Sequence, residues 1–561
     1  MNSSAEDLKV ISRAARQNEL LFWLDHVWVA CGVLFILSVL MRLVDLGQLA
    51  RFDELYTLLA ARGWMSDGVP RIAEGVYDRA ELYTIFIAWW LKLFGDSLIV
   101  ARLPSVLFGS LLVVVVFLWT NAVAGRMAAW IGGLLVALAS ISVEMSQYAR
   151  FYALHALTFW LGATGVYALT TGLLTGTFRR LAVIAGTILS LLCALYLQAL
   201  TLVGGVGLIV WAAAVALLPL PARRHVWRVW GVLGALALAI GLVAAIVLAS
   251  DVVRSLLERY LETPLTVIHH RGEFWFYHLH LIERYPTFWP IFPFLALIAV
   301  AARPRPSLFA ICVFGTAFAL LSFAGQKSWR YLYFALPFLF VVWAIALASL
   351  WQSLWNTIRA AIDRVLAEFA PGLRPLLGWG LVAGSLAFLL LANGSTARTF
   401  LRPLGIHLGE GFSADWPAAV DQLEPAVRDA EMVLTSHELH MLHYLGRADI
   451  VVSKERLAEF ADTEFARDPR TGLPVVSGPQ SLALILDCYP SGVLVTDTIK
   501  GWRAPTVIDD ASADLIGSRM RPIELPSRSK LMAFQWRTPT AAEPSAACAA
   551  IPGHEAGNIK R

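Results

Sequence analysis

The sequence predicts a polytopic α-helical membrane protein, with about 11–13 transmembrane helices and a C-terminal α/β domain on the outer side of the membrane. Three observations predict it. Of the 561 residues, 58% are hydrophobic and only 15% charged, against about a quarter charged in a soluble domain. Apolar runs long enough to cross a bilayer recur as far as residue 394. Beyond about residue 395 the pattern changes to short strand-like and helix-like pieces. The 21 Trp suit the two lipid–water interfaces. With a net charge of +4 and no basic tract to follow a phosphate backbone, nucleic acid is excluded as a partner.

The N-terminal segment, 1–26, carries Lys9, Arg13 and Arg16 and no small-residue cleavage site, so it reads as a cytoplasmic start before a retained first helix. Apolar runs follow at 27–44, 103–124, 127–143, 155–175, 181–198, 200–219, 229–249, 287–302, 307–324, 331–350 and 377–394. The short basic connections with Arg179-Arg180, Arg223-Arg224, Arg303 and Arg305, and Arg359, Arg364 and Arg374 face the cytoplasm by the positive-inside rule. That choice puts four stretches outside: the segment around Gln147–His155, the loops 251–286 and Gly325–Arg330, and everything after about 395. The basic N-terminus, counted forward from the inside, puts loop 45–81 outside as well. One shorter apolar piece, 82–94, upsets the count of crossings. Thirteen residues rise only about 20 Å against a hydrocarbon core of about 30 Å. The sequence leaves open whether this piece is re-entrant or another helix is broken, and therefore on which side Arg102 lies.

In the C-terminal domain, 395–540, strand-like runs at Met432–Thr435, Ile450–Ser453, Val493–Asp497 and Leu531–Trp536 alternate with helix-like ones at Pro417–Asp429 and Lys454–Asp462. No Gly-rich phosphate loop opens a helix there. Residues 541–561 read as a flexible tail. Cys31, Cys193 and Cys312 sit in apolar stretches as small core residues. For Cys488 and Cys548 the sequence leaves open a disulfide or two free thiols.

The chemistry is sought among ionisable groups at the outer ends of the spans. In Arg51-Phe-Asp-Glu-Leu-Tyr-Thr57, the adjacent carboxylates Asp53 and Glu54 suit a general base or a metal ligand, or else an ordinary solvated loop. Tyr148-Ala-Arg-Phe-Tyr-Ala-Leu-His155 brings Arg150, Tyr152 and His155 to the start of a helix, with Tyr152 and His155 on one face. Its Arg suits a phosphate, or an interfacial belt. His269-His-Arg-Gly-Glu-Phe-Trp-Phe-Tyr277 and Lys327-Ser-Trp-Arg-Tyr331 place further cations outside, against the usual bias. His437-Glu-Leu-His-Met-Leu-His443 spaces its first two His three apart, where the zinc motif needs four, so it reads as an exposed amphipathic helix and no metal site is assigned.

Together, Asp53-Glu54, Leu93-Phe-Gly-Asp-Ser-Leu-Ile-Val-Ala-Arg-Leu-Pro-Ser105, Ala149-Arg-Phe-Tyr152, and Arg330-Tyr331 before Pro337 resemble the GT-C membrane glycosyltransferases of the protein mannosyltransferase and lipid A aminoarabinose transferase kind. The resemblance runs through most of 27–350. It implies Asp53 as the catalytic residue and Glu54, Glu81, Tyr83, Arg150, Tyr152, His155, His270, Arg271, Lys327, Arg330 and Tyr331 as substrate contacts. Leu82-Tyr83 stands where the family carries a basic residue and Pro after the acidic position matched by Glu81. It further implies an inverting glycosyltransferase of a bacterial cytoplasmic membrane, using a polyprenyl-phosphate-linked sugar as donor and lipid A, another glycan or a protein as acceptor. No cofactor is required; a divalent cation is compatible with the carboxylate pair without being called for. The rival reading is a transporter or flippase, which places charges near the bilayer midplane on broken helices and shows two similar halves. Here the charges gather at outer helix ends and no halves are visible. A polymerase or ligase of lipid-linked glycans shares the donor class and differs in product size.

Overall fold

The computed structural model of the protein describes residues 27–174, 176–217, 273–369, 391–406, 414–460 and 464–538, with a few isolated positions besides. The expected span 229–249, most of 377–394, and His270 and Arg271 lie outside the described residues.

Helices dominate as far as residue 401. They are α1 (Val27–Leu43), α2 (Phe52–Asp67), α3 (Glu81–Phe94), α4 (Leu98–Ala124), α5 (Arg126–Leu138), α6 (Ser140–Ser146), α7 (Tyr152–Thr170), α8 (Thr177–Leu197), α9 (Thr201–Leu217), α10 (Phe276–Arg284), α11 (Phe292–Ala302), α12 (Pro304–Phe323), α13 (Trp329–Leu332), α14 (Leu336–Phe369) and α15 (Gly394–Leu401). Among the described residues, 4 helical stretches are long and apolar enough to cross a bilayer, and 5 if α5 and α6, bent by 57°, form one broken span. One continuous core joins them, with Trp160, Trp211 and Trp343 fully enclosed.

The crossing left open by the sequence is settled by Arg102. Its guanidinium, at the start of α4, donates to the carbonyls of Leu46 (2.6 Å), Gln48 (2.8 Å) and Leu49 (3.2 Å), just past the end of α1. The end of α1 and the start of α4 are therefore on the same side, and α3 between them does not cross. Its exposed Leu82, Phe86, Trp89 and Leu93 recur at helical spacing along one face, while Tyr83, Ile87 and Leu91 bury the other. Without 82–94 the forward and backward counts of crossings agree.

The break between α5 and α6 has a visible support. Ala139 is extended (φ −64°, ψ 122°), which frees helical carbonyls in a setting without water. Arg42 of α1 reaches across to Ala137 O (3.3 Å) and to the Ser142 hydroxyl (2.8 Å), and also holds Ser38 (2.5 Å). The broken turn is thus satisfied from a neighbouring helix.

The C-terminal domain is a seven-stranded sheet in the order β5-β6-β4-β3-β7-β9-β8, from β3 (Met432–Thr435), β4 (Ile450–Val452), β5 (Phe465–Arg467), β6 (Pro474–Val476), β7 (Ser491–Asp497), β8 (Arg521–Ile523) and β9 (Leu531–Arg537). Strands β6, β4, β3 and β7 are parallel and both edges are antiparallel. The four parallel strands are almost wholly buried, with separate apolar clusters on the two faces of the sheet. Three strands of three residues each, the edges β5 and β8 and the inner β6, are additions to the sequence reading. Cys488 and Cys548 form a disulfide, which ties Cys548 to this domain; most of the expected tail, 541–561, lies outside the described residues. Such bonds persist in oxidising compartments.

The domain docks on the first long loop of the helical part. The two-residue strands β1 (Arg71–Ile72) and β2 (Gly75–Val76) form a hairpin whose Glu74 and Gly75 amides donate to Thr471 O at 3.1 and 2.9 Å. A Cβ on Gly75 would lie 2.5 Å from Gly472 N, so the two backbones can meet only as glycines.

Candidate active site

The site is built around the first turn of α2. Arg51 caps the helix with extended backbone, and its amide donates to Glu54 Oε1 (2.9 Å). Asp53 and Glu54 both fall in the first turn, where the helix dipole favours negative charge. Successive helical residues point about 100° apart, and the two carboxylates meet different surroundings.

Glu54 is sealed. It and Arg102 are 0% exposed, and they form a two-point ion pair, with Arg102 Nε 3.0 Å from Oε2 and Nη2 on Oε1. With the Arg51 amide already on Oε1, the Ala149 amide adds a fourth donor at 3.1 Å. With its oxygens held by protein donors inside the fold, Glu54 has no face for a substrate. This corrects the expectation that it contacts sugar or acceptor, and gives it the role of tying α2 to α4 and to the segment that carries Arg150.

Asp53 faces open space. It pairs with Arg330, and both side chains keep over a quarter of their surface exposed. Arg330 stands 5.8 Å from the ring centre of Tyr152 and 5.5 Å from that of Tyr331. Arg150 stands 5.9 Å from the same Tyr152 ring, with Nη1 donating to Tyr77 OH (2.6 Å) and Thr57 Oγ1 (3.2 Å). The Nε–H groups of Arg150 and Arg330 are both buried and have no partner among the described residues. Buried donors are as a rule satisfied, and two orphaned guanidinium donors around one tyrosine can take an anion. Asp53, Arg150, Tyr152, Arg330 and Tyr331 are thus brought together.

Other residues expected at the site are placed elsewhere. Tyr83 is buried, its hydroxyl between Ser105 Oγ (3.1 Å) and Arg150 O (3.0 Å), so it supports the arginine's backbone. Glu81 is exposed in the first turn of α3. His155 lies one turn deeper than Tyr152, its Nε2 2.9 Å from Thr201 Oγ1 and its ring 5.3 Å from Phe334. That burial between helices overturns a substrate contact for it. Lys327 is buried and donates to Ala324 O.

Sequence reasoning missed two groups. Arg51 pairs with Glu144 (2.6 Å) and with Tyr148, which adds a part-exposed carboxylate from the end of α6. The other is the C-terminal helix Glu438–Tyr444, expected to be exposed. It packs on the loop before α2 instead: His440 Nε2 donates to Ala50 O (3.1 Å), and Arg62 lies 3.1 Å from His443 Nδ1. Burial holds His440 down to about 3, and burial together with the Arg62 charge holds His443 down to about 4, so both are neutral. Among the described residues, no group of three or more His, Cys, Asp or Glu is placed to hold a metal ion.

No family model matches the chain, and no curated protein matches it by sequence. Solved structures do. ArnT from Cupriavidus metallidurans bound to undecaprenyl phosphate superposes with a TM-score of 0.58 at 15% identity, over 93% of this chain and 99% of that one. This chain has the GT-C fold. The archaeal oligosaccharyltransferase AglB from Archaeoglobus fulgidus, in complex with an inhibitory peptide and a dolichol-phosphate, matches with a TM-score of 0.57 at 12% identity, over 85% of this chain and 70% of that one. In the GT-C chain described here, the helical part and the C-terminal sheet both fall within the region shared with ArnT, since that match covers nearly the whole length.

Proposed function

We propose that this membrane protein is an inverting glycosyltransferase that moves a sugar from a polyprenyl-phosphate donor to a lipid, glycan or protein acceptor. The observation that carries the proposal is one carboxylate, Asp53, paired with Arg330, while Arg150 stands by the same Tyr152 ring and both arginines hold a buried Nε–H without a partner among the described residues. The donor's lipid tail stays in the bilayer and its phosphate accepts from Arg150 and Arg330, planar donors matched to phosphate oxygens. ArnT was solved with undecaprenyl phosphate and AglB with a dolichol-phosphate, which supports a donor on a lipid carrier.

Arriving phosphate competes with Asp53 for Arg330. Once the pair opens, Asp53 takes the proton of the acceptor hydroxyl, and that oxygen attacks the anomeric carbon from the face opposite the phosphate. The bond from the anomeric carbon to the phosphate oxygen breaks, its electrons stay on polyprenyl phosphate, and the configuration inverts. The two guanidinium groups stabilise the charge that grows on the leaving phosphate. Phosphate is a good leaving group, so no general acid is needed. Short basic connections on one side and a disulfide in the C-terminal domain support a cytoplasmic N-terminus and a periplasmic C-terminal domain in a bacterial inner membrane.

The test is transfer in vitro: purified protein, a panel of radiolabelled polyprenyl-phosphate sugars, and membrane extract as acceptor. Label entering the extract with the native protein and not with Asp53→Asn supports the proposal. No transfer from any donor by folded protein overturns it in favour of transport.

A further inference from the structure

The C-terminal domain reaches the proposed phosphate site through aromatic rings. Tyr56, one turn beyond Asp53 on α2, is gripped by two arginines of that domain. Arg456 Nη2 donates to its hydroxyl (2.6 Å), and the Arg470 guanidinium stands 5.4 Å from its ring centre. Tyr56 in turn lies flat on Tyr77, with ring centres 5.2 Å apart and planes 13° from parallel. The Tyr77 hydroxyl accepts from Arg150 Nη1 at 2.6 Å, and the guanidinium is 5.7 Å from the Tyr77 ring. Both tyrosines are almost wholly buried.

Resting on the donor reading above, we propose that Tyr56, held by Arg456 and Arg470 of the C-terminal domain, is a positioning residue for Arg150, acting through Tyr77. Mere adhesion between the two parts needs only apolar contact. Here Arg456 is instead held by Glu438, 2.6 Å away and 1% exposed. Burying such a pair carries a desolvation cost that plain packing avoids. What the pair provides is direction, because an arginine fixed at one end presents its remaining donors at a set angle. The stacked rings transmit that setting, since a buried tyrosine between two fixed neighbours has no other rotamer to occupy. α2 also bears Thr57, the other acceptor of Arg150 Nη1, and Asp53, the partner of Arg330. Docking of the C-terminal domain on α2 and on the β1–β2 hairpin thus sets the base and the phosphate ligand together.

The experiment measures binding of undecaprenyl phosphate to the full-length protein in detergent, per folded molecule, beside thermal melting. Tyr56→Leu removes the ring, Tyr56→Phe keeps the stack, and Arg150→Met removes the group being positioned. Tyr56→Leu is expected to weaken binding on the order of tenfold, and Tyr56→Phe, which loses the Arg456 hydrogen bond but keeps the Arg470 and Tyr77 ring contacts, by an intermediate factor of about threefold. In an Arg150→Met background, Tyr56→Leu is expected to change binding no further, the non-additivity that marks coupled residues. Native-like binding by Tyr56→Leu, or the same loss with and without Arg150, overturns the inference and leaves Tyr56 a packing residue. Parent protein that binds no undecaprenyl phosphate overturns the donor reading and the inference with it, and is recognised because the parent itself is silent.

Discussion

The two faces of the first turn of α2 treat an arginine in opposite ways. Toward the helices, Glu54 and Arg102 are closed off from solvent, and every donor of that guanidinium is spent on Glu54 or on the carbonyls of Leu46, Gln48 and Leu49. Toward the open side, Asp53 and Arg330 remain partly exposed, and Arg330 keeps a buried donor without a partner among the described residues. A saturated pair holds geometry and has nothing left to exchange. An unsaturated pair can give up one partner for a phosphate or a proton. Adjacent carboxylates of nearly equal chemistry are thus separated into a sealed anchor and a part-exposed partner by which arginine each meets.

The sharpest way to break this comparison is to neutralise each carboxylate in turn. A positioned base contributes about 10²–10⁴-fold, so Asp53→Asn should lose that much turnover in the radiolabel assay while melting within a few degrees of the parent. Near-normal turnover would remove Asp53 from the role of base. Glu54→Gln should do the reverse in origin: it strands the Arg102 charge, and breaking a buried pair costs about 3–5 kcal/mol. The loss is read as a lower melting temperature and poorer yield of folded protein. Adding Arg102→Met to Glu54→Gln should restore only part of the stability, because the three loop carbonyls lose their donors as well. Full restoration would mean that the carbonyl contacts contribute little.

A second comparison sets what hydropathy and pattern reveal against what tertiary contact decides. Most of the apolar helices and the four long strand-like runs could be read from the sequence, because period and length are local properties. So could the acidic pair at 53–54, but not which of the two is sealed, since that depends on Arg102 forty-eight residues later. The break at Ala139 was illegible for a similar reason. No Gly or Pro marks it, and its freed carbonyl is satisfied by Arg42, ninety-five residues earlier. His437–His443 has the pattern of a solvated helix, and only docking of the C-terminal domain on the loop before α2 buries it. His155 shares a helical face with Tyr152, as expected, but one turn of α7 carries it from the site to Thr201.

The docking seam itself offers a smaller effect. Gly472 has φ +71°, and a Cβ there would meet Gly75 N at 2.6 Å. Gly472→Val therefore combines backbone strain of about 1–3 kcal/mol with a clash across the seam. The expected outcome is faster limited proteolysis between the helical part and the C-terminal domain, with the sheet domain itself still resistant. Proteolysis at the parent rate would show that the hairpin contact does not hold the two parts together.

The smallest expected effect is a dependence of the seam on pH. His440 donates to Ala50 O, and His443 receives a hydrogen bond from Arg62, an arrangement that requires His443 to be neutral at Nδ1. Burial pushes the two imidazoles down to about 3 and about 4, against about 6.5 in an unfolded chain. Below about pH 6.5 the unfolded chain therefore binds protons that the folded protein refuses, and stability rises with pH across that window. It should fall on acidification from about 6.5 and level off once the native histidines also titrate, near 3 to 4. Because His443 is partly exposed, solvent screens much of its share. His443→Gln, which keeps an acceptor for Arg62 and removes the titration, should raise the melting temperature at pH 5 by roughly 2–4 °C relative to the parent. At pH 8 it should change it little. An equal shift at both pH values would mean that the substitution acts through packing, and that Arg62 does not depend on a neutral imidazole.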